Sequence, residues 1–345
     1  MDLSPALDWS PPPHWRRVTV VDAHTGGEPF RVVVEGLPEI PGEDMASRRA
    51  FAEENLDDLR RRLMWEPRGH ADMYGGWVCP PVSPESDLSV LFTHNAGFST
   101  MCGHGIIALV KVLVDTGVLP TGEGPTRTIR IDTPAGRVEA TAVLEEGMVV
   151  WVRFLNVPSF VYQRRVIAKT GGFGDVVCDI AYGGAFYAFV DTVSIGLDLM
   201  APAALVPAGR EVKAAVSAVS PPRHPERADL SFLYGVIFTG PPDRSKNHSK
   251  QVCVFADGEI DRSPTGTGVS ALLALLHDAG TITLDEEIRV ESLVGSVFTG
   301  RVVDTTLVGS LAAVVPEIGG NAHLTGRSEL WFDPHDPLAG GFFLR

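Results

Sequence analysis

Hydrophobic and polar residues alternate along many short stretches of this chain, and a period of two marks a half-buried strand. The pattern runs through Thr128 to Val143, Met148 to Phe154, Gln251 to Phe255 and Glu287 to Val303. A β-like run from Arg17 to Asp22 meets the turn-forming Thr25-Gly26-Gly27, and Val90 to Thr93 reads as a further strand. Residues Pro41 to Arg62 are charged with helical spacing and predict a surface helix. A second helix, His104 to Thr116, carries Ile106, Ile107, Leu109, Val110, Val112, Leu113 and Val114. It is apolar nearly all round, so it is expected to be buried, with Gly117 as its C-terminal cap. The first 15 or so residues read as an irregular lead-in, and Gly171-Gly172-Phe173-Gly174 as a turn between strands.

The chain also repeats itself. Cys102-Gly103-His104-Gly105-Ile106-Ile107-Ala108-Leu109 matches Thr265-Gly266-Thr267-Gly268-Val269-Ser270-Ala271-Leu272, at an offset of 163 residues. Asp115 and Gly117 answer to Asp278 and Gly280. Further on, Ile129 to Thr133 faces Ile288 to Ser292 at an offset of 159, which implies a shorter loop in the second copy. This period is too long for a solenoid. It predicts two homologous halves related by a pseudo-twofold axis, each an antiparallel, barrel-like sheet around a buried central helix. The expected class is α+β. The first half is expected over residues 16–157 plus about 325–345, carrying Cys102, and the second over 158–324, carrying Thr265.

Composition narrows the function. The 345 residues are 44% hydrophobic and 21% charged, which is ample for packed cores and argues against disorder. Lys and Arg number 29 against 43 Asp and Glu, a net charge of −14, so nucleic acid and anionic membrane surfaces are not expected partners. The most apolar run, Gly105 to Val114, is interrupted by Lys111 and falls short of the ~18 residues of a membrane span. No secretory signal is visible at the N-terminus. Four scattered cysteines (Cys79, Cys102, Cys178, Cys253) form neither a CxxC pair nor a disulfide frame, so a reducing, cytoplasmic setting is expected.

The repeated motif sets a glycine-flanked turn at the start of each central helix. First-turn N–H groups are unpaired and the helix dipole is positive there, so Gly103, His104, Gly266 and Thr267 can offer facing donors to a carboxylate. The same field is expected to lower the pKa of Cys102 and make it a base at neutral pH. A thiolate beside such donors suits removal of a proton alpha to a carboxylate. His104 is a donor or acid beside the substrate, and a C-x-H pair alone is weak support for a metal. Asp261, just ahead of the second motif, is placed to take a substrate ammonium, though it also reads as a turn residue, and Thr267 as a helix cap. Cys79, Cys178 and Cys253 have no such setting and read as small buried residues. There is no Gly-rich dinucleotide fingerprint and no P-loop, so no cofactor is expected.

These strings together resemble the proline racemase family. The likeness rests on Asp22-Ala23-His24-Thr25-Gly26-Gly27-Glu28-Pro29, Met101 to Gly105, and Asp261-Arg262-Ser263-Pro264-Thr265-Gly266-Thr267-Gly268. Glu66 to His70, Asp72 to Gly76 and Phe255 to Gly258 add to it. The resemblance implies a diaminopimelate epimerase-like fold and two residues facing each other across an imino acid ring. The first is a cysteine, Cys102; at the second position, where racemases carry another cysteine, this chain has Thr265. A hydroxyl is a far poorer acid or base than a thiol at neutral pH. The Cys/Thr pair therefore resembles the branch that dehydrates trans-3-hydroxy-L-proline to Δ1-pyrroline-2-carboxylate without a cofactor. Substrate contacts implied by the resemblance are Gly103, His104, Asp261, Gly266 and Thr267. Competing expectations are a proline racemase or 4-hydroxyproline epimerase, a silent amino-acid binder, and a Cys/His hydrolase, which lacks an orienting residue. The expected partner is a small imino acid, with a homodimer left open.

Overall fold

A computed structural model describes residues 1–344; residue 345, the last of the expected first half, lies outside the described residues. The first half of the chain forms α1 (Pro5–Asp8), β1 (Arg16–Thr25), β2 (Glu28–Glu35), α2 (Met45–Asn55), α3 (Asp57–Met64), β3 (Tyr74–Cys79), β4 (Leu88–His94), β5 (Phe98–Ser99), α4 (Gly103–Asp115), β6 (Thr126–Thr133), β7 (Gly136–Glu145), β8 (Met148–Leu155) and β9 (Ser159–Thr170). The second forms β10 (Gly174–Tyr182), β11 (Phe186–Asp191), α5 (Thr192–Ile195), α6 (Pro202–Val219), β12 (Leu233–Gly240), β13 (Ser249–Phe255), β14 (Glu259–Ile260), α7 (Gly266–Asp278), β15 (Ile288–Glu291), β16 (Val297–Val308), β17 (Leu311–Gly320) and β18 (Ala322–Phe332). Nine strands are thus followed by nine in the same order, and the class is α+β as expected.

The repeat holds down to individual hydrogen bonds. In both copies most pairings are antiparallel, but β2 runs parallel to β3 as β11 does to β12. β4 likewise runs parallel to β6 as β13 does to β15. Parallel neighbours need a crossover, usually helical, and this explains the helices between them. The segment expected as one helix over 41–62 is two, broken at Leu56 (φ −124°), and their inner residues Ala52, Leu59, Leu63 and Met64 are buried. Its counterpart α6 is absent from the sequence reading because Pro202 and Pro207 obscure it; Pro202 sits at the first turn, where a missing N–H does no harm. A buried carboxylate follows in each half. Asp132 accepts the amides of Val82 and Ser83 (3.0 and 2.9 Å), and Glu291 those of Asp243 and Arg244 (2.8 and 2.9 Å).

Helices α4 and α7 are the axles. Eleven of the thirteen residues of α4 are buried, and ten of the thirteen of α7. Both end in a left-handed glycine, Gly117 (φ 76°) and Gly280 (φ 69°). The sheet wraps them and crosses over: β9 pairs with β10, and β18 returns to pair with β1. On these pairings we propose the division of the chain into 16–157 plus about 325 onward, and 158–324. Residues Gly171 to Phe173 form the β9–β10 turn, and Gly174 opens β10. Apart from α1, the lead-in is irregular and mostly exposed, with Pro11 buried. No helix among the described residues is long and apolar enough to cross a membrane.

Candidate active site

The starts of α4 and α7 meet. A Cβ built on Gly103 would lie 2.6 Å from the Cα of Gly266, and one on Gly266 would lie 2.8 Å from the Cα of Gly103. Only glycine permits this approach. Cys102, Gly103 and His104 from one helix start and Asp261, Thr265, Gly266 and Thr267 from the other line one cavity of about 20 Å³. All seven residues singled out in the sequence are therefore brought together. Gly103→Ala is expected to push the helix starts apart, lower kcat by about 10²-fold and reduce stability by about 1–3 kcal/mol. Steady-state kinetics beside a thermal melt reads both effects, and an alanine variant with normal turnover would contradict the need for contact.

The two capping residues behave differently. Cys102 has ordinary extended backbone (φ −147°, ψ 110°), and its sulfur caps α4 by accepting the Gly105 N–H at 3.2 Å. His104 folds back over it, with Nδ1 3.3 Å and Nε2 3.5 Å from Sγ. Thr265 sits at φ 62°, ψ 91°, a region that a β-branched residue avoids. Its hydroxyl does not cap α7 but donates to Asp261 Oδ2 at 2.8 Å. Asp261 also accepts the Ser263 N–H at 2.7 Å and stands 3.9 Å from His104 Nδ1. Thr267 lies inside α7 instead of capping it, and its hydroxyl pairs with Tyr187 at 2.7 Å.

The other strings that carry the resemblance support these groups. Thr25 Oγ1 donates to the His104 carbonyl at 2.9 Å, and Glu28 accepts the Arg262 N–H at 2.8 Å. Arg262 Nη1 also reaches the Asp72 carbonyl at 3.2 Å, which ties the second motif to the first half.

Electrostatics correct one expectation. Burial pushes the Cys102 thiol well above its ordinary range, against the pull of the Gly105 amide, and Asp261 and Glu28 push it further. At this depth desolvation outweighs the helix field, so the free site holds a thiol and not the expected thiolate. Burial also brings His104 down to about 3, so it is a neutral imidazole. It brings Asp261 up to about 6, against hydrogen bonds from Ser263 and Thr265. Among the described residues no group of three or more His, Cys, Asp or Glu is arranged to hold a metal ion.

Part of the lining carries no site role in the sequence reading. Tyr74, Met101, Tyr187, Tyr234, Phe255 and Cys253 complete the wall. Cys253 is buried as expected, yet it lines the cavity. Tyr74 and Phe255 stand inside or beside the strings quoted above; Tyr187 and Tyr234 carry no sequence signal, because strand pairing alone aims them inward.

Comparison with known proteins places this architecture. A family model described as "Proline racemase" matches residues 20–343. The chain is 45% identical over 332 residues to the 3-hydroxyproline 2-epimerase of Burkholderia multivorans, covering 96% of this chain and 99% of that one. It is 46% identical to the trans-3-hydroxy-L-proline dehydratase of Azospirillum brasilense over the same shares. Among solved structures, a hydroxyproline epimerase from Agrobacterium vitis with bound trans-4-hydroxy-L-proline superposes with a TM-score of 0.90 at 30% identity, covering 96% of each chain. By sequence over nearly its whole length and by fold, the chain belongs to the proline racemase family.

Proposed function

We propose that this protein is a trans-3-hydroxy-L-proline dehydratase: it removes water from its substrate without a cofactor, with Cys102 as the base. The observation that carries the reading is the asymmetry of the two helix caps. A sulfur stands on one side of the cavity, and on the other a hydroxyl already committed to Asp261. Relatives named as dehydratases of this substrate at 43–46% identity support it.

In trans-3-hydroxy-L-proline the C2 hydrogen and the 3-hydroxyl share a ring face. The first-turn amides of α4 and α7 take the carboxylate and Asp261 takes the ring ammonium. That ammonium offsets the Asp261 charge, one of the influences that hold Cys102 protonated. The thiolate therefore forms as the substrate settles, its proton passing to solvent before the cavity closes. It takes the C2 proton, the C2–H electrons become the C2=C3 bond, and the hydroxyl leaves from the same face. The enamine then tautomerises to Δ1-pyrroline-2-carboxylate. The carbanion is consumed before a second acid is needed, so Thr265 holds shape and hydrogen bonding only. All four cysteines are free, in keeping with a reduced, cytoplasmic enzyme.

The test is incubation of purified protein with trans-3-hydroxy-L-proline, L-proline and trans-4-hydroxy-L-proline, with no metal or cofactor added. A product from the first that reacts with o-aminobenzaldehyde, and little change in the other two, is expected. A second reading, epimerisation at C2, is favoured by the Burkholderia multivorans relative; it would show as changed optical rotation with no such product.

The pH profile has a predicted shape. The dependence of kcat/KM reports groups of the free enzyme. Asp261, raised to about 6, is protonated below that pH and cannot pair with an ammonium. Cys102, raised above the ordinary thiol range, must also lose its proton. Log kcat/KM is expected to climb steeply up to about pH 6 and less steeply above it. A profile with no change of slope near pH 6 would remove Asp261 from the ammonium site.

A further inference from the structure

Breaking the C3–O bond requires a hydrogen-bond donor at the departing oxygen, because hydroxide is a poor leaving group. That donor must lie on the Cys102 face of the ring, the face the hydroxyl occupies. Tyr74, at the start of β3, lines the same cavity of about 20 Å³ as Cys102, on the side of His104, whose ring folds over the Cys102 sulfur. The phenol oxygen is held by a hydrogen bond with Ser99 Oγ, and the Tyr234 hydroxyl stands 3.4 Å away. The ring is wedged edge-on against His104 at 4.8 Å and stacked on Phe30 at 6.4 Å. The other candidates fail on place or on chemistry. Tyr187 is paired with Thr267, on the opposite helix start. His104 has a single N–H as a neutral imidazole, and both its ring nitrogens lie against the Cys102 sulfur, 3.3 and 3.5 Å away, so that donor is engaged there.

Building on the dehydratase reading, we propose that Tyr74 receives the departing 3-hydroxyl and relays to it the proton that Cys102 took from C2. The step balances. The C3–O bond breaks as C2=C3 forms, the Tyr74 O–H proton passes to the leaving oxygen, and the Cys102 S–H proton passes to the Tyr74 oxygen. Water leaves, Tyr74 is neutral again, and Cys102 is a thiolate, which takes a proton back from solvent when the product departs. The phenol never needs to ionise on its own, which suits its burial.

The experiment compares two leaving groups in Tyr74→Phe, a variant that keeps the ring. Wild type and variant are given trans-3-hydroxy-L-proline, followed by o-aminobenzaldehyde, and trans-3-fluoro-L-proline, followed by a fluoride electrode. Fluoride is stable without a proton, so its loss depends on Cys102 and far less on Tyr74. Tyr74→Phe is expected to lower kcat for dehydration by about 10²-fold with KM changed only a few-fold, and to lower fluoride release by less than about tenfold. Equal losses on both substrates, or no loss on either, would overturn the relay; equal losses are what a packing role or weaker support of the thiolate would give. Tyr234→Phe, which keeps the donor itself, is expected to lose less than Tyr74→Phe on the hydroxy substrate, and the reverse order would also count against the assignment. If wild type releases fluoride but never dehydrates the hydroxy substrate, the dehydratase reading fails, and that result is distinct from a failure of Tyr74.

Discussion

Cys102→Ser is expected to lose dehydration of trans-3-hydroxy-L-proline by about 10⁴-fold or more while folding as the wild type does. The loss follows from the role assigned to the sulfur. A serine hydroxyl does not ionise in the range where even a buried thiol can be drawn to a thiolate by a bound cation. The preserved fold follows from the cap. Cys102 accepts the Gly105 N–H at the start of α4, and a serine oxygen in the same place keeps that bond. Cys102→Ala loses the base and the cap together, so its turnover should match that of the serine variant, with about 1 kcal/mol less stability. Product formation and thermal melts on the two variants separate chemistry from folding. Retention of more than about a tenth of wild-type kcat by the serine variant, a deficit under 1.4 kcal/mol, would show that another group takes the proton.

The fold was legible because it was written twice. The match of Cys102 to Leu109 with Thr265 to Leu272 marks the starts of two buried helices, and the change of offset falls in the link from each helix to the next strand, which is shorter between Asp278 and Ile288 than between Asp115 and Ile129. Strand pairing was less visible. Parallel neighbours such as β2 and β3 depend on a distant crossover and leave no local period, and α6 was hidden by its prolines. The helix-start residues were readable because glycine spacing and a nucleophile mark them. The aromatic wall was not, since Tyr187 and Tyr234 look like ordinary strand residues until pairing fixes which face they show. The protonation state of Cys102 was misjudged for a physical reason. The helix field can be read from sequence, but the depth of burial that opposes it depends on how the two halves close together.

On the proposed mechanism, Thr265→Cys should add inversion to elimination. L-Proline is the diagnostic substrate, because it has no leaving group: once Cys102 has taken its C2 proton, the carbanion can only be reprotonated. From the Cys102 side this returns L-proline unchanged. Inversion needs a proton from the opposite face, where Thr265 stands with its hydroxyl donated to Asp261 at 2.8 Å. A thiol there is a far better acid, and it lacks the Cβ branch that strains the present backbone at φ 62°. D-Proline formation, followed by optical rotation or chiral chromatography, is expected to rise by about 10²-fold or more over wild type. Dehydration of trans-3-hydroxy-L-proline should stay within about tenfold, since elimination draws on the Cys102 face alone and the variant mainly loses a hydrogen bond to Asp261. The two substrates thus report on opposite faces of one ring. A folded Thr265→Cys protein whose new thiol can be alkylated, yet which makes no D-proline, would mean that something other than the missing sulfur blocks inversion. The division of labour between the two helix caps would then have to be abandoned.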